Sequence, residues 1–144
     1  MSAATSDPVE AAVARYFAGA RPSGVVSAYL FGSHARGAAH GESDVDVGVL
    51  FDYGRVAGRE ARARAATPLG AELIAATHCN EVDVVVLNDA PPELAAAVVS
   101  RGQRLYCLDP EADHAFVRTA LLRHADLRPF LERTRRLKLQ ALAR

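Results

Sequence analysis

The chain has 144 residues, half of them hydrophobic, and its 17 basic side chains are balanced by 17 acidic ones. This length fits one domain, and this hydrophobic content can build a core without disulfides or a structural metal. Domains that bind nucleic acid directly through its phosphates are usually basic, so a net charge of zero argues against that class.

The cellular compartment is indicated by what the sequence lacks. The two cysteines, Cys79 and Cys107, have no metal-binding spacing and are too few for a disulfide framework, which favours a reducing compartment. The first eight residues lack the charged segment and apolar run of a signal peptide. No run of about 18 uninterrupted apolar residues is present. We therefore expect a cytoplasmic protein without a membrane span.

The first half of the chain is predicted to form a helix and two strands. Asp7 and Pro8 are typical of a helix cap and first turn, and apolar residues follow at helical spacing. β-branched and aromatic residues, and then an alternation of Asp and Val, mark the strands. The predicted elements are a helix from residue 8 to the turn 21–24, a strand over 25–31, a helical turn over 33–36, a loop over 38–42 and a strand over 44–51.

The second half begins with an Ala-rich helical stretch over residues 55–78. Pro68 and Gly70 interrupt it, and Thr67 before Pro68 resembles a new helix cap, which predicts a kink or two helices. The elements predicted after it are a strand over 81–87, a helix over 93–100, a strand over 103–108 and a helical stretch from Pro110 to the end with a break near Pro129.

This order predicts an α/β fold: a single domain over residues 1–144 with a mixed sheet of about four strands flanked by helices. The core covers about 8–108 and the C-terminal helical stretch about 111–143. Only about a dozen residues join the first two strands, which favours an antiparallel pair. The long helical stretch before the third strand allows a parallel pair between the second and third.

The most informative motif is Gly32-Ser33, ten residues, and then Asp44-Val45-Asp46. Residues i and i+2 of a strand share a face, so the Asp44 and Asp46 carboxylates lie side by side and repel each other unless a cation binds between them. Carboxylate oxygens with open coordination positions suit Mg²⁺, which also takes substrate phosphates as ligands. The pair therefore predicts a magnesium site.

The Gly-Ser turn is predicted to bind the phosphates. Gly32 allows a phosphate to approach the backbone closely, and Ser33 offers a hydroxyl and an N–H at a helix start, where anions are favoured. Arg36 lies one turn further on and can pair with a phosphate oxygen. The alternative for Arg36 is an ion pair with Glu42 or Asp44, and the sequence leaves that choice open.

Asp83 is the best candidate for a third carboxylate. It is the one acid in the apolar segment 82–86, where a buried unpaired carboxylate is costly, so we expect it to be buried against a partner. If its strand neighbours the Asp44–Asp46 strand, that partner is the same metal cluster. The alternative is a carboxylate at the strand edge, in solvent.

These residues resemble the signature of the polymerase-beta-like nucleotidyltransferases: Gly-Ser, ten residues, Asp-x-Asp and a third Asp on a later strand. More narrowly, the chain resembles the minimal nucleotidyltransferase (MNT) antitoxins, which pair with HEPN-domain toxins and act on them as adenylyltransferases. The similarity covers most of the chain. Its segments are 32–37, 43–47, 82–88, 90–92, 102–106 and 126–129.

The resemblance implies a polymerase-beta-like fold in which Asp44, Asp46 and Asp83 bind two Mg²⁺ ions and form the catalytic site. Gly32 and Ser33 hold the triphosphate of ATP, and Asp83 also helps to deprotonate the acceptor hydroxyl. The expected reaction moves AMP from ATP to a hydroxyl, a tyrosine in our prediction, of a cognate HEPN toxin. The chain then acts as the antitoxin of that toxin.

Two other functions fit the same sequence. One is a binding module that masks the toxin without catalysis, although the three carboxylates argue against it. The other is a nucleotidyltransferase that modifies a small aminoglycoside-type molecule, although 144 residues leave little room for the acceptor domain of such enzymes. The C-terminal stretch either packs on the core or docks a protein partner. Its apolar and basic residues are Phe116, Ala120, Leu121, Leu127, Phe130, Leu131, Leu137, Leu142, Arg133, Arg135, Arg136 and Lys138.

Overall fold

The computed structural model describes residues 8–32 and 45–125. Several predicted features lie outside these residues. They are the cap at Asp7, the turn over 33–36, the loop over 38–42 and the chain beyond residue 125 with its predicted break near Pro129.

The described residues form the predicted order of helices and strands. The elements are α1 (Pro8–Ala20), β1 (Val25–Phe31), β2 (Val45–Phe51), α2 (Arg59–Thr77), β3 (Val82–Val86), a 3₁₀ turn (Leu87–Asp89), α3 (Pro92–Arg101) and β4 (Gln103–Cys107). A further helix, α4, covers residues 110–125.

Helix α2 runs through Pro68 as one continuous helix, so the alternative of two helices is wrong. Thr67 does not cap a second helix; its hydroxyl donates a hydrogen bond to the Ala63 carbonyl (3.1 Å), one turn earlier. Pro68 has no backbone N–H to donate, and its ring crowds the carbonyl of Arg64, four residues earlier. Leu69 and Leu73 are buried against the sheet on either side of Gly70, and this packing outweighs the local preference for a break.

The four strands form one sheet in the order β3-β2-β1-β4. β1 pairs antiparallel with β2, which confirms that prediction, and β2 pairs parallel with β3, as the long helical connection allows. β1 also pairs antiparallel with β4. β3 and β4 are thus at opposite edges of the sheet, and α3, which connects them, must cross it.

The two faces of the sheet pack against different helices. On one face, β2 residues Val45, Val47 and Val49 pack with side chains of α1 and α2 in the main core. On the other face, Leu50 and Tyr29 pack with Leu87 and with residues of α3 and α4. The acids discussed below lie on this second face.

Gly48 in the middle of β2 allows α3 to lie close to the sheet. A Cβ at this position would lie 3.0 Å from Cδ2 of Leu87 and 3.2 Å from Cγ1 of Val98. Both of those side chains are almost fully buried. A larger side chain at residue 48 would therefore push α3 away from the strands.

Helix α4 is tied to the sheet by the carboxylate of Asp113, which is only 2% exposed. Its Oδ1 accepts hydrogen bonds from the hydroxyls of Ser27 and Tyr29, both at 2.7 Å, and its Oδ2 pairs with Nη1 of Arg104 at 2.8 Å. Burial, and then the bond to Asp113, raise the pKa of Tyr29 well above its ordinary value. A buried carboxylate is stable here because each oxygen has a partner.

Both cysteines are free thiols, as their number and spacing predict. Within residues 8–32 and 45–125, none of the helices has the length and apolar character needed to cross a membrane.

Candidate active site

The candidate site lies where β2 and β3 begin. The register of these parallel strands pairs Asp46 directly with Asp83. Paired residues on neighbouring strands share a face, and the strands lie about 4.8 Å apart, so the two carboxylates are close neighbours. The sequence prediction that the strand of Asp83 lies beside the strand of Asp46 is confirmed.

Asp46 owes its position to the residues on either side of it. Val45 and Val47 are fully buried on the opposite face, which fixes the backbone of β2 from its first residue. Strand alternation then turns Asp46 to the face that carries α3, where it is half-buried. The same pattern that builds the core therefore orients the acid.

Gly32, the first residue of the Gly-Ser motif, lies beside Asp46. Phe31, the last residue of β1, pairs with Asp46, and the chain turns at Gly32 with φ of 78°, a left-handed conformation that favours glycine. A Cβ at Gly32 would overlap Oδ2 of Asp46. The backbone of the turn and the carboxylate can be this close only because residue 32 has no side chain.

Asp83 is exposed on an edge strand, which matches the alternative of a carboxylate in solvent at the strand edge and not the expectation of burial. β3 is an edge strand, so it has a neighbouring strand on one side only, and Asp83 lies near its beginning. The apolar residues on either side are explained by the opposite face, where Val82 and Val84 contact the main core. The exposure leaves the carboxylate accessible to a ligand or a metal ion.

Ser33, Arg36 and Asp44 lie outside the described residues, so their roles remain predictions. Among residues 8–32 and 45–125, no three acid, histidine or cysteine side chains come together as a metal site. The described pair, Asp46 and Asp83, nevertheless fits a divalent cation. Both groups supply the oxygen ligands that Mg²⁺ prefers, and their strands hold them side by side.

Sequence reasoning missed the wall of the site next to Gly32. Phe31 and Gly32 border a cavity of about 190 Å³ whose other side is formed by α3 and Gly102. In the sequence, Gly102 is marked only by its place between the predicted helix over 93–100 and the predicted strand over 103–108. No sequence signal places the last turn of α3 against β1, because the contact depends on α3 crossing the sheet.

Sequence reasoning also missed how the end of β2 is held. Asn88 accepts a hydrogen bond from the Phe51 N–H (2.9 Å) and donates one to the Phe51 carbonyl (2.8 Å). Next to it, Arg62 forms an ion pair with Asp89 at 2.8 Å, and hydrogen bonding to Arg62 lowers the pKa of Asp89. These contacts fasten α2 and the Leu87–Asp89 turn to the sheet, far from Asp46.

A larger cavity, of about 500 Å³, lies at the other end of β2, between Phe51, Tyr53 and α4. Among the described residues that line it, Asp52 is the one acid. The Oδ1 atom of Asp52 accepts hydrogen bonds from the backbone N–H groups of Gly54 and Arg55, both at 2.9 Å, so this carboxylate holds the turn after β2. The cavity size alone therefore does not mark the place of the chemistry.

The sheet is mixed, and two paired acids lie next to a glycine turn where β1 ends and where β2 and β3 begin. This is the arrangement of a nucleotidyltransferase fold. Residues 16–111 match the family model described as polymerase beta, nucleotidyltransferase. The chain belongs to this family. The comparison with curated proteins finds no similar sequence.

Chains with the same fold occur in solved structures of toxin–antitoxin complexes. One is a toxin–antitoxin crystal structure with AMP-PNP, 24% identical, with a TM-score of 0.63 over 94% of this chain and 98% of that one. Two others are 21% identical with TM-scores of 0.58, and each covers 94% of this chain and 97% of its own. They are the MntA–HepT complex and a tri-AMPylated Shewanella oneidensis HEPN toxin with its MNT antitoxin. These likenesses confirm the predicted fold.

Proposed function

We propose that this chain is a Mg²⁺-dependent adenylyltransferase that moves AMP from ATP to a tyrosine hydroxyl of a HEPN-domain toxin and thereby acts as its antitoxin. The observation that carries the proposal is that Gly32, Asp46 and Asp83 lie together at one end of the strands, where β1 ends and where β2 and β3 begin. It combines a backbone turn open to phosphates with two neighbouring carboxylates.

In this proposal Asp46 and Asp83, with Asp44 as predicted from the sequence, hold two Mg²⁺ ions. The metal supplies charge neutralisation for the phosphate oxygens. The acceptor oxygen forms a bond to the α-phosphorus of ATP, the bond to the bridging oxygen breaks, and pyrophosphate leaves. Asp83 is exposed, and so it is open to an incoming acceptor hydroxyl whose proton it takes.

The protein partner is proposed from the neighbours named above. One neighbour's toxin is tri-AMPylated, and another complex contains AMP-PNP. The likeness covers 94% of this chain and 97–98% of the matched chains, so it extends over nearly the whole length of both. An added AMP would place a bulky anion on the toxin.

The test mixes the purified chain with a candidate HEPN-domain toxin, ATP and Mg²⁺, and measures the intact mass of the toxin. We expect a gain of one or more AMP units, on a tyrosine identified by peptide mapping, and no gain in EDTA. Asp83→Asn is expected to impair transfer more than ATP binding, because its proposed role is at the acceptor.

Three results would contradict the proposal at different points. Undiminished transfer in EDTA would exclude the metal mechanism. Neutralisation of the toxin without a mass change would show that the chain masks it. No effect of either protein on the other would show that the partner is wrong.

A further inference from the structure

The larger cavity, of about 500 Å³, separates the end of β2 from one face of α4, and we name it the β2–α4 cavity. Leu50, Phe51 and Tyr53 form one wall. The described residues of α4 that line it are Ala112, Ala115, Phe116 and Thr119. The two alanines allow another helix to approach α4 closely. Native interiors leave few voids larger than a water molecule, so an apolar cavity of this size suits an occupant.

The face of α4 that lines the cavity continues towards the end of the described helix. Ala115, Thr119 and Leu122 follow one another at the spacing of a single helix face. The side chain of Leu122 is 64% exposed, and that of Tyr53, on the opposite wall, is 56% exposed. Large apolar side chains exposed beside an apolar cavity are typical of a surface that another segment covers.

The lining offers little to recognise a polar small molecule. Its described residues include one charged group, the carboxylate of Asp52, and the Oδ1 atom of that group already accepts the N–H groups of Gly54 and Arg55. Small-molecule sites combine apolar walls with several polar groups that converge on the ligand. The β2–α4 cavity therefore suits the apolar side chains of a polypeptide.

The chain itself supplies such a segment directly after α4. Residues 126–144 lie outside the described residues, and their sequence contains Pro129, which disfavours a helical conformation at the residue before it. The chain can therefore turn at this point. Beyond Pro129, apolar and small uncharged residues recur at the spacing of a helix that has one apolar face. They are Phe130, Leu131, Thr134, Leu137 and Ala141.

The segment is long enough to cover the cavity if it returns antiparallel to α4. The face of α4 from Leu122 back to Ala112 spans about 15 Å, and residues 130–142 span about 18 Å as a helix. A helical hairpin needs a connection of only about two to five residues, which residues 126–129 provide. Neither a longer chain nor a second copy is needed to fill the cavity.

The charges of the two elements favour the antiparallel direction. Helix α4 carries Glu111 near its start and Arg123 near its end, and both are exposed. The segment carries Glu132 near its start and Arg144 at its end. An antiparallel return places Glu132 beside Arg123 and Arg144 beside Glu111, whereas the reverse direction would bring charges of the same sign together.

We propose that residues 130–142 of the same chain dock in the β2–α4 cavity as a helix antiparallel to α4. Leu137 and Ala141 then lie against Thr119 and Ala115. The inference goes beyond the proposed function and does not depend on it, because the cavity lies at the opposite end of β2 from Asp46. Of the two roles that the sequence leaves open for the C-terminal stretch, it assigns packing on the core.

The test uses tryptophan as a reporter, because the chain contains none. Leu137→Trp places the indole on the docking face, and Arg135→Trp, two residues earlier, places it on the opposite side of a helix. We expect Leu137→Trp to emit at shorter wavelength than Arg135→Trp and to be quenched less by acrylamide, since its indole is shielded from water. Both variants are measured as full chains.

A second substitution links the shielding to the cavity. Ala115→Glu puts a carboxylate into the α4 wall at an exposed position, and glutamate is a good helix former. Combined with Leu137→Trp, it is expected to move the emission to longer wavelength and to increase quenching. Thr119→Glu makes the same test one turn further along α4. Ala75→Glu, at an exposed position of α2, is the matched control and is expected to change neither property.

The outcomes distinguish the possible occupants of the cavity. Equal exposure of the two tryptophans overturns the inference. Shielding that disappears on dilution means that the segment docks on a second copy, and shielding that needs the toxin means that it docks there; both contradict the inference. Shielding that neither Ala115→Glu nor Thr119→Glu reduces places the segment elsewhere and also contradicts it. None of these measurements involves AMP transfer, so a failure of the proposed function leaves the inference standing.

Discussion

Asp46→Asn is expected to lower the rate of the proposed AMP transfer by about a hundredfold to a thousandfold, the loss seen when one preorganised charge-stabilising group is removed. The change keeps the size of the side chain and its fit against Gly32, but it removes the negative charge that we propose holds the cation. The rate is measured with labelled ATP, Mg²⁺ and the HEPN partner.

The fold of the Asp46→Asn variant is expected to persist. Its melting temperature without metal should equal or exceed that of the unaltered chain, because one of two neighbouring carboxylates has lost its charge. Asp52→Asn, at the other end of β2, is the matched control, since an amide oxygen can still accept the hydrogen bonds of that turn. Equal rates for Asp46→Asn and Asp52→Asn would remove Asp46 from the mechanism.

Gly32→Ala is expected to be the most damaging single-methyl change in the site. An alanine at φ of 78° costs about 1–2 kcal/mol, and its Cβ overlaps the Asp46 carboxylate. The turn, the carboxylate or both must move. Because a displacement of about 1 Å at a reacting centre costs on the order of a hundredfold, we expect at least that loss of transfer rate.

Gly19→Ala is the control for the Gly32 variant. Gly19 lies in α1, and a Cβ there meets nothing within 4 Å. The change should raise the free energy of unfolding by about 0.5–1 kcal/mol and leave the transfer rate unaltered. A Gly32→Ala variant that resembles Gly19→Ala in both measurements would show that the turn has no part in the site.

The sequence predicts the features of this fold that depend on local pattern. The alternation of residues 44–51 and the short connection before them identify β2 and its antiparallel partner. The long helical stretch before residue 82 allows the parallel partner. The meeting of Asp46 with Asp83 is possible with these pairings, but the register that places the two acids side by side comes from the structure.

The features that the sequence does not reveal depend on contacts between distant segments. Pro68 and Thr67 signal a helix break, but buried leucines on both sides hold α2 together. Asp83 looks buried because its neighbours are apolar, and only the position of β3 at the sheet edge exposes it. The cavity at Phe31 exists because α3 crosses the sheet over Gly48, which no local pattern encodes.

From the strand order we also expect the strand pairs to form in a particular order during folding. β1 pairs with β2 across residues 32–44, whereas it pairs with β4 only after α2, β3 and α3 have intervened. Closing the shorter loop costs less entropy, so the hairpin that sets Gly32 beside Asp46 is expected to form first and β4 last. Pulse-labelled hydrogen exchange during refolding would show amides of β2 protected before those of β4. In this order the turn at Gly32 and the Asp46 carboxylate come together early, and α3 packs against β1 afterwards.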